Sequence, residues 1–198
     1  MITLETAVIV SDRKIQNERM NIIFPVIQRV PDPHAQNKIN EKIQDTVYKM
    51  IWNEGFEKES QFSAEGNYRI TLNQNRVLSL VLEFTILLPD PPELQTRLKS
   101  FTFNLKTGDV YKFSDLFKYS SNFQERLAKL IKRQIIERNL VLNKKFKDID
   151  SDEKFYLSPD AVVIYYQAGE YAPGVVEFAI NLDELKDLIF NKGPLAKI

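Results

Sequence analysis

The sequence predicts an α+β domain: a mainly antiparallel sheet with about three helices packed on it. Three observations carry that prediction. Apolar and polar residues alternate with period two in several separate stretches, most clearly over 77–88. Elsewhere apolar residues recur at spacings of three and four, the mark of one buried helix face. Strands come in runs with helices interspersed, not in the strict alternation of a parallel α/β fold. The length of 198 residues fits a single domain, 1–198, divisible into subregions 1–75 and 76–198.

The elements follow in order. Residues 2–10 alternate through Ile2, Leu4, Val8 and Val10, and 20–27 through Met20, Ile22, Phe24 and Val26, giving two strands joined by polar 11–19. Pro25 has no N–H, so its strand is expected at an edge or at a bulge. Asp32-Pro33 reads as an N-cap followed by a first-turn proline. The helix it opens carries Ile39, Ile43, Val47, Met50 and Ile51 on one stripe and ends near Gly55.

Over 77–88, Leu78, Leu80, Leu82, Phe84, Ile86 and Leu88 share a face, and Ser79, Val81, Glu83 and Thr85 are expected to face water. Over 98–105, Leu98, Phe101, Phe103 and Leu105 are set against Ser100, Thr102 and Asn104. The run Pro89-Asp90-Pro91-Pro92 breaks between these two strands, and 106–109 turns the chain so that Val110 to Phe113 pairs back. Ser121 and Gln124 read as a capping box for a second helix with Phe123, Leu127, Leu130, Ile131 and Ile135 on its stripe. Strands are expected within 155–166 and at 175–180. Asn181 with Glu184 then caps a third helix carrying Leu182, Leu185, Leu188 and Ile189.

Composition narrows the chemistry. With no cysteine, disulfides, thiol nucleophiles and zinc sites with sulfur ligands are excluded. Twenty-seven basic and 27 acidic residues cancel, which removes any global pull toward nucleic acid or anionic lipid. The N-terminus has no basic stretch ahead of an apolar one, and the apolar run 77–88 is too short to span a bilayer. Neither a secretory leader nor a membrane segment is read, and a soluble chain is expected. No phosphate-cradling glycine motif occurs, and no cofactor is expected.

Five constellations hold groups able to do chemistry. The first is Tyr165, Tyr166, Gln167, Glu170, Tyr171, Pro173 and Gly174. It is a strand end and a loop, where stiff amphipathic tyrosines suit recognition of a protein or glycan. Alternation predicts that one of Tyr165 and Tyr166 is core and the other partly wet. The second is the string Asp148, Asp150, Asp152, Glu153, which opens like a calcium loop. It has Glu153 where the turn glycine belongs and Pro159 where the closing carboxylate belongs, so no metal is expected. The third is a basic stretch, Arg126, Lys129, Lys132, Arg133, Arg138, Lys144, Lys145 and Lys147. No nucleic-acid motif accompanies it, and it reads as a solvated helix side. The fourth, His34, sits at a helix start with no partner at fixed spacing. The fifth is the carboxylate pair Glu170 and Glu177, the minimum equipment of a glycoside hydrolase.

A resemblance adds to this. The stretch SFTFNLKTGDVYKFSDLF at 100–117, a following amphipathic helix, and FYLSPDAVVIYYQAGEYAPGVVEFAINLDEL at 155–185 resemble the extracytoplasmic domain of RsiV-type anti-sigma factors. Related domains precede the catalytic domain of PdaC-type peptidoglycan deacetylases. The strand end Phe24-Pro25-Val26-Ile27 and Ile39-Asn40 at the helix start fit the same pattern. Where relatives carry a glycine-rich, histidine-containing segment, this chain has 89–97 with neither residue. The resemblance implies a non-catalytic binding or sensing domain at the bacterial envelope, like the lysozyme-binding RsiV domain, with a protein or cell-wall glycan as ligand. Two rival readings stand beside it. One is a hydrolase of peptidoglycan-like polymers using Glu170 and Glu177; the other is a cytoplasmic interaction protein.

Overall fold

A computed structural model describes residues 7–53, 63–89, 92–119 and 121–198. Expectations for Ile2, Leu4, Gly55, Asp90 and Pro91 lie outside these residues. Within the described residues eight strands form two sheets. The strands are β1 (Ile9–Gln16), β2 (Met20–Gln28), β3 (Ser63–Gln74), β4 (Val77–Pro89), β5 (Pro92–Asn104), β6 (Phe155–Leu157), β7 (Ala161–Tyr166) and β8 (Val176–Asn181). One sheet runs β1-β2-β3-β4-β5 and the other β6-β7-β8.

The first sheet is mixed, not antiparallel throughout. β2 and β3 run parallel, pairing Met20–Ile22 with Ala64–Gly66, because α1 (Pro33–Asn53) crosses between them. Past Ile22 that side of β2 has no partner strand, and Pro25 lies there, where no N–H is needed. The Asp32 cap is formed: its Oδ1 accepts the His34 N–H at 2.9 Å. The α1 stripe Ile39, Ile43 and Val47 is fully buried against Leu78, Leu80, Leu82, Phe84 and Ile86 of β4, with Phe101 and Phe103 of β5.

The other face of β4 is not wet at its start. Ser79 and Val81 are fully buried and Thr102 nearly so, because the three-stranded sheet stacks on that face. Leu98 belongs to this side, with Val81, Tyr156, Val163 and Tyr165, and not with Phe101 and Phe103. Helix α2 (Phe123–Glu137) closes the outside of the second sheet. There Leu127 and Ile131 join Val162, Ile164 and Phe178. The order of layers is therefore helix, sheet, sheet, helix.

Among the described residues two α-helices are present, not about three. Asn181 does cap, accepting the Asp183 N–H at 2.8 Å, but only the 3-10 turn Leu182–Glu184 follows. The carbonyl of Leu188 is taken by Lys118 N–H, and Phe190 N–H donates to Leu116. The backbone there pairs with 116–118 instead of winding on, while Leu185 and Leu188 stay buried. The Ser121–Gln124 box is likewise not formed. Asn122 precedes α2 and makes no side-chain cap, and Ser121 Oγ donates to Lys118 C=O. Val110 makes a single bridge to Phe103, and 113–116 is a 3-10 turn.

The sheets are joined by buried polar bonds. Ser79 Oγ accepts the Leu157 N–H at 2.9 Å and lies 3.1 Å from Thr102 Oγ1. Removing it in Ser79→Ala strands a buried N–H, so unfolding stability should fall by about 2 kcal/mol. A denaturant midpoint unmoved from that of the native chain would show that this bond does not hold the sheets.

Candidate functional site

The seven loop residues are brought together, but most are committed to structure. Tyr165 and Tyr166 are both buried, which corrects the expectation that one is partly wet. Tyr165 faces the first sheet, where its hydroxyl accepts the Ser100 N–H at 3.1 Å. Tyr166 faces α2 and packs edge-on to Tyr171 with ring centres 4.7 Å apart. Burial pushes the pKa of both phenols up, so they stay neutral. Gln167 acts as a backbone mimic: its Nε2 donates to Leu98 C=O at 2.6 Å and its Oε1 accepts Leu98 N–H at 3.0 Å. Glu170 accepts the Gln167 N–H at 3.0 Å and pairs with Lys154 at 2.6 Å. Tyr171 is half-buried against Phe146, with the Lys144 ammonium 4.9 Å from its ring centre. Pro173 and Gly174 are exposed at the loop tip, and Gly169 turns this loop at a positive φ of 85°.

Beside this loop the two sheets diverge into an open cleft of about 520 Å³. Glu83, Thr96 and Leu98 line its first-sheet wall. Tyr156, Val175, Glu177 and Ala179 line the opposite wall, and Gln134 of α2 and Arg138 just after it close its end. Arg69 of β3 reaches across to Glu177 of β8 at 2.6 Å, and Tyr156 donates to the same Glu177 oxygen at 3.1 Å. The Arg69 guanidinium also lies over the Tyr156 ring, 4.6 Å from its centre. Burial raises the Tyr156 phenol, which keeps it a donor. Arg138 is spent on Glu177 C=O at 2.8 Å and Gln134 on Ala179 C=O at 2.7 Å. Among the described residues Glu83 is the cleft carboxylate without a hydrogen bond or ion pair.

The remaining constellations have local duties. Glu170 and Glu177, the carboxylate pair, are each held in an ion pair by a different cation, Lys154 and Arg69. Glu153 turns inward, accepting Asp150 N–H at 3.0 Å and Tyr166 O–H at 3.4 Å, and burial pushes its pKa up. Asp148 pairs with Lys132 at 3.9 Å, while Asp150 and Asp152 are exposed. Among the described residues no group of three or more His, Asp or Glu could hold a metal ion. In the basic stretch Arg126 pairs with Asp187, Lys129 with Glu125 and Arg133 with Glu184. His34 is exposed in the first turn of α1. No helix among the described residues is long and apolar enough to cross a membrane.

The cleft residues come from distant parts of the chain and form no local pattern. Glu177 and Arg138 stand out in the sequence for other roles, and Glu83 is marked there as a charge interrupting an otherwise apolar strand.

Residues 114–183 match a family model described as a protein of unknown function, DUF3298. Among curated proteins none matches. A crystal structure of a DUF3298 family protein from Pseudomonas aeruginosa PAO1 superposes with a TM-score of 0.68 at 12% identity, covering 97% of this chain and 95% of that one. A second, from Bacteroides fragilis, gives 0.62 at 12% identity, covering 98% and 97%. The chain is thus similar in fold to DUF3298 proteins over nearly its whole length, and its residues 114–183 carry that family's sequence pattern.

Proposed function

We propose that this protein is a non-catalytic binding domain, and that a protein or a cell-wall glycan enters the cleft beside loop 167–174. One observation carries the reading. The cleft is open and of ligand size, yet Glu177, Arg138 and Gln134 are bonded within the protein, leaving Glu83 facing the space. Such a wall offers contact area and one anionic point, which favours a ligand bearing a cationic group. The resemblance to RsiV-type domains supports an extracytoplasmic sensing role of the same kind.

Ala179 is exposed on the cleft wall, so Ala179→Trp fills the space without disturbing a core. Titration calorimetry with muramidase-digested peptidoglycan in one arm and a lysozyme in the other tests the reading. Binding in one arm, weakened at least ~10-fold by Ala179→Trp, is expected. Equal binding by the variant overturns the cleft assignment. Release of new reducing ends from the glycan would overturn the non-catalytic one.

A further inference from the structure

Several strand edges of this protein are closed by side chains. The Asn40 carboxamide bonds both N–H and C=O of Ile27 on the open side of β2, at 2.8 and 2.9 Å. Asn73 does the same for Val8, at 3.0 and 2.9 Å. In the second sheet, the outer edge of β6 gives Leu157 N–H to Ser79 and receives Ser100 O–H at Phe155 C=O. The carbonyls on the outer edge of β8 are taken by Gln134 and Arg138.

The free edge of β5 is closed over most of its length. Gln167 takes both backbone groups of Leu98, the Tyr165 hydroxyl accepts Ser100 N–H, Tyr111 N–H donates to Thr102 C=O, and Asp109 C=O accepts Asn104 N–H. The register with β4 puts the backbone groups of even-numbered β5 residues outward, so Leu94 and Thr96 continue this row. Among the described residues nothing bonds to them. The open stretch has two ends: Gln167 occupies Leu98, and Pro92 offers no N–H. The outer edge of β1, which pairs with β2 alone among the described strands, carries Asp12, Arg13 and Lys14, the charges that discourage strand pairing. Here the neighbouring side chains are instead Leu94, 68% exposed, and Leu87, 39% exposed, on the face that leads past Thr96 into the cleft toward Glu83.

We infer that the Leu94–Thr96 edge of β5 is a strand-addition site for an extended peptide of a partner protein. The peptide continues the row that the Gln167 carboxamide begins. It exchanges backbone bonds with Leu94 and Thr96, sets an apolar side chain against Leu87 and Leu94, and directs a lysine two residues away toward Glu83. The inference rests on the binding role proposed above and names its partner class.

The probe is the synthetic peptide acetyl-Thr-Val-Thr-Lys-Thr-Val-Thr-amide, titrated into the 15N-labelled full chain. Saturable shifts at the Leu94 and Thr96 amides, with Kd on the order of 1 mM, are expected. Thr96→Pro removes the outward N–H and should weaken binding at least ~10-fold. Leu94→Asp, at a position too exposed to harm the core, should weaken it ~5-fold or more even if the proline variant fails to fold. Glu83→Gln should lower affinity for this peptide and not for its norleucine analogue. No saturable shift at the two amides, or undiminished binding by Leu94→Asp, overturns the inference. A peptide blocked by Ala179→Trp but not by Thr96→Pro would overturn the edge assignment and leave the cleft reading standing.

Discussion

Tyr165→Ala is expected to cost about 4 kcal/mol of unfolding free energy, the range for emptying a large aromatic site in a core. Tyr165 is 1% exposed, and its ring packs with Val81, Leu98, Tyr156 and Val163 between the sheets. Its hydroxyl also holds Ser100, accepting the N–H at 3.1 Å with the two side-chain oxygens 3.0 Å apart. The ring term and the hydroxyl term separate in Tyr165→Phe, which keeps the packing and strands the Ser100 N–H, at about 1–2 kcal/mol. Urea unfolding of both variants checks this, because the stability gap between them isolates the buried ring. Equal losses would mean that the hydrogen bonds alone hold this contact. The cleft walls belong to the two sheets that Tyr165 joins, so Tyr165→Ala should also weaken any cleft ligand more than Tyr165→Phe does.

The second large effect is Gly66→Val, expected to cost about 3 kcal/mol by overpacking. Gly66 stands where β3 meets β2 in the one parallel pairing and meets Phe84 of β4 on its other side. A Cβ there would lie 2.7 Å from Ile22 Cγ2 and 3.1 Å from Ile22 Cγ1. Ile22 is fully buried and cannot swing into solvent. Valine adds two methyl groups to that collision. The pairing can be tested with Ile22→Ala, which alone should cost about 3 kcal/mol through its cavity. The double variant should be at least ~1 kcal/mol better than the sum of the singles, since each change relieves the other. Strict additivity in thermal melts would show that the two side chains do not compete.

Much of the layered core was readable from periodicity. The α1 stripe and the alternation of β4 point to the residues that bury against each other, and the Asp32 cap follows from the short oxygen beside a first-turn proline. Periodicity reports two faces but not what covers the second. Ser79 and Thr102 look like a wet face because they are polar, and they are buried because each finds a partner within the sheet pair. The third helix failed for a related reason. Leu185 and Leu188 are really buried, but the carbonyls of Asp187 and Leu188 are taken by Lys118 and the Phe190 amide by Leu116, contacts between distant positions. The site was legible only as a neighbourhood. None of residues 167–174 lines the cleft; the lining resumes at Val175, just past the loop, and Gln167 and Tyr171 are engaged with the rest of the fold. Glu83, Thr96, Arg138 and Tyr156 meet through sheet stacking, which no local spacing encodes.

The side-chain amides and hydroxyls that close strand ends also tie the five-stranded sheet to the three-stranded one. Excised alone, 114–183 would lose Ser79 and Ser100 from the border of β6, and Leu98 from the Gln167 carboxamide. Its short strands would then present raw hydrogen-bonding margins to any chain nearby. The segment that carries the family's sequence pattern is therefore a poor candidate for a minimal fragment, and truncations made at its limits should self-associate instead of folding.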